Sequence, residues 1–112
     1  MQWDTGTVDV PSAGTAVQVL DDPRVVRWIQ FTARQGNSGG VYVGRSDVSS
    51  TNGRELRPPE TSNGYDHLAQ TEYDFGKYGS KFDNLPGGFP MNIFYVDADT
   101  NGNDVDWEAI FE

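Results

Sequence analysis

Residues 97–108, Asp-Ala-Asp-Thr-Asn-Gly-Asn-Asp-Val-Asp-Trp-Glu, match the calcium-loop pattern D-x-[DN]-x-[DN]-G-x5-E at every specified position. Calcium takes hard oxygen ligands, and acids and amides alternating around a glycine turn can supply several from one short loop. Asp97, Asp99, Asn101 and Asn103 are therefore the candidate metal ligands, with calcium an optional ion and no cofactor required. Glu108 fits less well, because it falls within an alternating stretch, and Asp104 stands where valine or isoleucine is usual at loop position eight.

An EF-hand also needs a helix on each side of the loop, and neither flank predicts one. Upstream, Asn92-Ile93-Phe94-Tyr95-Val96 is β-branched and aromatic, with Pro90 just before it. Downstream, Val105, Trp107, Ala109 and Phe111 alternate with Asp106, Glu108, Ile110 and Glu112, and only four residues follow Glu108. The expectation is a hairpin closing over residues 97–104. Its Asp, Asn, Thr and Gly then need only turn chemistry, with side-chain bonds to local main chain and a positive φ at Gly102.

Other catalytic arrangements lack parts. His67 is the only histidine, and without cysteine there is no thiolate nucleophile, zinc-thiolate site or disulfide framework. No G-x-S-x-G motif accompanies it, so a hydrolytic triad cannot be assembled. Gly36, Gly39 and Gly40 precede neither a lysine nor a helix start, which excludes a P-loop and leaves a hairpin turn. Carboxylate pairs for glycoside hydrolysis could be drawn from seventeen acids, but sequence spacing does not fix their separation in space. The chain is expected not to be an enzyme.

The elements that would position these residues are short strands. Residues 5–10 and 14–20 predict two, separated by Pro11, Ser12 and Ala13. Residues 23–35 admit two conformations. Asp22 as N-cap, Pro23 at the first helical position and Gly36 beyond the end would frame a helix, whereas the density of β-formers in Val25-Val26-Arg27-Trp28-Ile29-Gln30-Phe31-Thr32 favours a strand. In that strand Arg27, Ile29, Phe31 and Ala33 alternate with Trp28, Gln30, Thr32 and Arg34. Val41-Tyr42-Val43-Gly44 resumes as a strand, and residues 46–59 form a polar loop with Leu56 turned inward. Residues 61–90 are a long loop-rich excursion with one strand near 69–75, of a length usual for functional loops. Turn signals at intervals of about ten residues, without a convincing amphipathic helix, predict an all-β fold. It is a single domain over residues 1–112, an antiparallel β-sandwich or jelly roll of six to eight short strands.

A formal charge of −9, from seventeen acidic and eight basic residues with only two lysines, argues against nucleic acid and anionic membranes as partners. Acidic surfaces poor in lysine accompany high-salt habitats as well as many ordinary proteins. No signal peptide or transmembrane stretch is expected. Three tryptophans and a scattered aromatic set remain. Trp107 is assigned to the core, and Trp28, alternating with Gln30 and Thr32, faces outward as an interface anchor or sugar-stacking platform. Tyr65, Tyr73, Phe75, Tyr78 and Phe82 in the excursion complete the candidate interface.

In residues 25–59 the chain resembles small tailed-virus virion proteins of the capsid decoration or head-fibre kind. The residues that carry this are Arg27-Trp28-Ile29-Gln30-Phe31, the G-x-Y-V-G strand Gly40-Val41-Tyr42-Val43-Gly44 with Arg45-Ser46-Asp47-Val48, and Asn52-Gly53-Arg54-Glu55-Leu56. Residues 92–99 and the closing strand are similar to that family's last hairpin, so that about half of the chain is covered. Pro58-Pro59-Glu60 departs from the Pro-Gly pair usual after the leucine, and the 61–90 excursion is longer than the pattern. The resemblance implies a non-catalytic protein at the capsid surface of a virion, bound to the major capsid protein or other virion subunits. It also implies a homo-oligomer, often a trimer. A carbohydrate-binding or adhesin-like module on a virion or cell surface, assisted by calcium, is the alternative expectation.

Overall fold

Alternation over residues 25–33 and 103–111 builds two nine-residue strands, and these pair with each other at the centre of the larger of two sheets. The computed structural model describes residues 2–34, 36–57, 79–82 and 88–112. Its strands are β1 (Gln2–Val10), β2 (Val17–Gln18), β3 (Val25–Ala33), β4 (Val41–Gly44), β5 (Arg54–Leu56), β6 (Gly79–Phe82), β7 (Phe89–Pro90), β8 (Tyr95–Ala98) and β9 (Asn103–Phe111). A 3-10 turn occupies Met91–Ile93, and the described residues contain no α-helix. One antiparallel sheet runs β1-β9-β3-β6, with β7 also on β3, and the other runs β2-β8-β4-β5. No helix among the described residues is long and apolar enough to cross a membrane.

The ambiguity at residues 23–35 resolves as strand, where β-branched and aromatic side chains fit a pleated surface flanked on both sides. A bulge between Val26 and Trp28 takes Arg27 out of the expected alternation. Beyond it, Ile29, Phe31 and Ala33 are buried while Trp28, Gln30 and Thr32 are partly exposed on the opposite face.

The last two strands do not form the expected hairpin. β8 pairs with β2 and β4, whereas β9 pairs with β1 and β3, so residues 99–102 carry the chain from one sheet to the other. The glycine-rich turn after β3 is likewise a crossing, since β4 lies in the second sheet. Alternation reveals which side chains face inward, but a buried face can belong to either of two sheets around one core. Other differences are local. β1 begins at Gln2, β2 shrinks to two residues, Leu56 belongs to a strand, and Asn92 and Ile93 sit in the 3-10 turn. Within the 61–90 excursion, Gly79–Phe82 pairs with residues 29–32 of β3, and β7 continues along the same edge opposite Val25 and Val26. Gly-Ser-Lys-Phe has no strand signature of its own, so the ladder of β3 dictates its conformation. The strand expected near 69–75 lies outside the described residues.

The two sheets bury one common cluster. Val8, Val10, Ile29, Phe31, Val105, Trp107, Ala109 and Phe111 come from the larger sheet, and Val41, Val43, Leu56, Val96 and Ala98 from the smaller. Phe31 meets Phe94 at 5.4 Å between ring centroids, tilted by 56°. At the margin, Arg24 lies 4.0 Å over the Phe111 ring, held by Asp22 through Nε and Nη2 (2.8 Å each) and donating to Gln2 Oε1 (2.8 Å).

Gly6 is opposite Trp107 in the β1–β9 pairing, and a Cβ there would lie 2.7 Å from the indole Nε1. The buried indole therefore requires glycine at this point of β1. Gly6→Ala is expected to destabilise by about 1–3 kcal/mol, the usual penalty of overpacking. Urea denaturation measures it, and an unchanged midpoint would mean that the indole repacks freely.

Candidate functional site

Three connections between the sheets meet at one end: residues 11–16 after β1, 34–40 after β3, and 99–102 after β8. They converge because Val10 pairs with Asn103, Ala33 with Val105, and Val41 with Ala98. Main-chain groups leaving a ladder there need new partners. Backbone bonds between these segments include Gly102 N–H to Val10 O (2.8 Å), Asp99 N–H to Gly40 O (3.0 Å) and Arg34 N–H to Asp104 O (3.4 Å).

The candidate calcium ligands add side-chain bonds. Asp97, 2% exposed, accepts through Oδ1 from Gly14 N–H (2.9 Å) and Ala98 N–H (2.8 Å). Asn101 Oδ1 accepts from Ala13 N–H at 2.7 Å. Asp99 accepts from Gly40 N–H through Oδ2 (3.0 Å) and from the Tyr42 hydroxyl through Oδ1 (2.7 Å). Asn103, also buried, accepts from Ser38 N–H (3.0 Å) and donates to Ser38 O (2.8 Å). Beside it, Asn37 donates to Asp104 O (2.7 Å) and accepts from Asp104 N–H (2.8 Å). The DxDxN sequence thus joins all three crossings, mostly by bonds to segments distant in sequence instead of the local bonds expected of a turn tip. Gly102 does have the expected positive φ, 86°. Among the described residues, no group of three or more His, Asp or Glu side chains is placed to hold a metal ion.

Two carboxylates at this end are perturbed in opposite directions. The Tyr42 hydroxyl and then the Gly40 N–H stabilise the Asp99 carboxylate and hold its pKa below the ordinary 3.8. Burial, reinforced by Asp99, pushes the Tyr42 phenol up to about 12. Asp104 lies directly opposite Asp9 across the β1–β9 ladder, and burial followed by the contact with Asp9 raises its carboxyl above 3.8.

The outer face of the larger sheet presents a different surface. Register aligns its side chains in rows across β1, β9 and β3: Trp3, Ile110 and Trp28; Thr5, Glu108 and Gln30; Thr7, Asp106 and Thr32. Trp3 is 62% exposed and Trp28 and Ile110 partly so. A cleft of ≈ 290 Å³ lies over the two polar rows. Asp106 there accepts from Thr7 Oγ1 (2.7 Å) and pairs with Arg34 Nε at 3.6 Å. Among the described residues, neither the Gln30 amide nor the Glu108 carboxylate has a hydrogen-bond partner.

Of the expected interface residues, Trp28 faces outward as anticipated, and Phe82 is paired with Ile29 in the β6–β3 ladder. Tyr65, Tyr73, Phe75 and Tyr78, like His67, lie outside the described residues. Trp107 is in the core. Both polar stripes, Gln30/Thr32 and Asp106/Glu108, are visible in the sequence as alternation. What alternation lacked was the adjacency, which arises because β9 inserts between β1 and β3 and brings Trp3, Thr5 and Thr7 alongside.

Tyr42→Phe removes the hydroxyl that stabilises ionised Asp99, and a loss of about 1–2 kcal/mol is expected at neutral pH. A lowered carboxyl pKa stabilises the fold above its unfolded value, so this gap should close as pH falls below 3.8. Asp104 behaves oppositely: its charged form is disfavoured in the fold, and the penalty is full above the raised pKa and fades as pH falls through it towards 3.8. Asp104→Asn is therefore expected to stabilise at pH 7 by up to about 1 kcal/mol, with the advantage vanishing in acid. Thermal melts across pH check both. Compared with known proteins, the chain matches no family model, no curated protein and no solved structure.

Proposed function

We propose that this is a non-catalytic virion structural protein, a small β-sandwich or jelly roll that decorates or cements a capsid by binding the major capsid protein or neighbouring subunits. The observation that carries the proposal is the outer edge of β1, which pairs with no other strand among the described residues. β1 is a nine-residue terminal strand of its sheet, without proline or lysine, and Trp3 projects from it 62% exposed. Such an edge offers main-chain donors and acceptors to an incoming strand, and an aromatic anchor beside it adds apolar contact.

The common core beneath two sheets and the repeated crossing between them support the sandwich reading. The segments on which the virion resemblance rests lie in and around β3, β4 and β5, and the final pair of strands crosses between sheets instead of closing a hairpin. Engagement of Asp97, Asp99, Asn101 and Asn103 in hydrogen bonds between loops favours a structural role for the residues that most suggested chemistry. Pairing through an edge strand also suits a homo-oligomer, and a trimer is the assembly that the resemblance favours.

Imaging of virus particles produced with and without the protein tests this proposal. The expected result is ordered density on the capsid surface that disappears without it, together with earlier thermal disruption of the depleted particles. Trp3→Ala should weaken rebinding of purified protein to those particles. Particles of unchanged appearance and stability, with no rebinding of the intact protein, would falsify the proposal.

A further inference from the structure

We infer that the outer face of the β1-β9-β3 sheet contains a binding site for a neutral oligosaccharide, seated in the cleft over Gln30, Thr32, Asp106 and Glu108 and extending onto Trp28 in the adjoining row of the sheet. This site adjoins the β1 edge proposed for the capsid contact and is told apart from it by separate variants, Trp28→Ala and Glu108→Gln here and Trp3→Ala there.

A pyranose ring combines an apolar face of C–H groups with a rim of hydroxyls, so its receptor needs an aromatic plane beside polar acceptors and donors. The register places both together. Trp28 and Ile110 form an apolar row, and the next row along the strands is Glu108 and Gln30, followed by Asp106 and Thr32. Successive residues on one face of a strand are about 7 Å apart, so a ring resting on Trp28 would bring its hydroxyls over Glu108 and Gln30. Those two side chains are without hydrogen-bond partners among the described residues, although partly buried, and between them they offer carboxylate acceptors and an amide that both donates and accepts. Pairs of hydroxyls on a sugar present this mixture of donor and acceptor.

Charge narrows the ligand class. The outer face carries Asp9, Asp104, Asp106 and Glu108; of its cations, Arg34 is paired with Asp106 at 3.6 Å, and Lys81 is opposite Gln30 in the β6–β3 ladder, which leaves the acids in excess. Nucleic acid and sulfated or sialylated glycans would meet net repulsion from this excess of acids, whereas a neutral sugar would not. A second copy of this chain would bring the same four acids against themselves, which disfavours the face as a self-association surface. The ≈ 290 Å³ of the cleft is at the lower end of the usual range for small-molecule sites, in keeping with a short segment of a glycan.

The test is a glycan array of neutral and acidic oligosaccharides, followed by NMR titration of the intact protein with the strongest neutral binders while the tryptophan indole signals are observed. Expected are neutral hits, a shifted Trp28 indole, and affinity reduced about tenfold or more in both Trp28→Ala and Glu108→Gln. The second variant changes one charged group to a near-isosteric amide, so it remains informative should the first misfold. Three results would overturn the inference: no neutral binder on the array or in titration, hits confined to acidic glycans, or binding undiminished in Glu108→Gln. Sedimentation showing that this face instead joins two copies of the chain, with dissociation caused by Trp28→Ala, would also overturn it. None of these outcomes bears on binding to capsids, so the two proposals stand or fall separately.

Discussion

Three crossings between sheets at one end of the molecule impose the constraint on which the rest depends. Each time the chain leaves one ladder for the other, peptide groups lose their partners, and an unpaired buried group costs about 1–3 kcal/mol. Asp97, Asp99, Asn101 and Asn103 meet this need from a single short stretch, reaching residues 13 and 14, residues 40 and 42, and residue 38. Their spacing follows from that task. Asp97 and Asp99 lie two residues apart and share a face of β8 and its extension, while Asn103 opens β9 in the other sheet. An alternating run of short polar side chains can staple loops as readily as it can surround a cation, because both tasks call for oxygen atoms at closely spaced positions.

Much of the fold was legible because burial repeats with period two. The inward sets of β3 and β9 could be read directly, and so could the outward stripes that later prove to share a face. Pairing could not be read. The same Asn-Gly and Gly-Gly chemistry serves a tight return within one sheet and a step to another, and nothing local distinguishes them. Residues 97–104 thus looked like a hairpin tip and are a bridge between layers, and their hydrogen bonds span distances in sequence that no local pattern encodes. β6 escaped notice for a related reason: Gly79, Ser80, Lys81 and Phe82 are extended because β3 has an edge to fill. The outer cleft was half visible, since its polar stripes were evident while the insertion of β9 that joins them to Thr5 and Thr7 was not.

Electrostatics sets the tone of the surface without determining the fold. Acids outnumber bases by more than two to one, and one pair of them, Asp9 and Asp104, faces across adjacent strands. Such an arrangement is tolerated where the surrounding ladder is strong, and it keeps the sheet face hostile to anions. The bases that remain are used sparingly, as with Arg24, whose Nε and Nη2 converge on Asp22 Oδ2 while the guanidinium lies over Phe111 and closes the margin of the core. The two ends of the larger sheet are thus secured by different means, amide and carboxylate bonds at the crossings and a guanidinium at the other.

The position of β9 between β1 and β3 has a consequence for how the chain acquires its structure. Gln2 pairs with Phe111 and Val10 with Asn103, so the most extensive ladder among the described residues joins segments about a hundred residues apart. During synthesis, β1 and β3 emerge long before the strand that must lie between them, and neither can complete its sheet alone. Until then both expose open edges and one apolar face to the solvent. Contacts of such high sequence separation make folding slow, because loop-closure entropy is lost before the contacts form. Until β9 emerges, β1 and β3 are two unfinished margins awaiting a keystone, the period in which they are most exposed to pairing with the wrong strand.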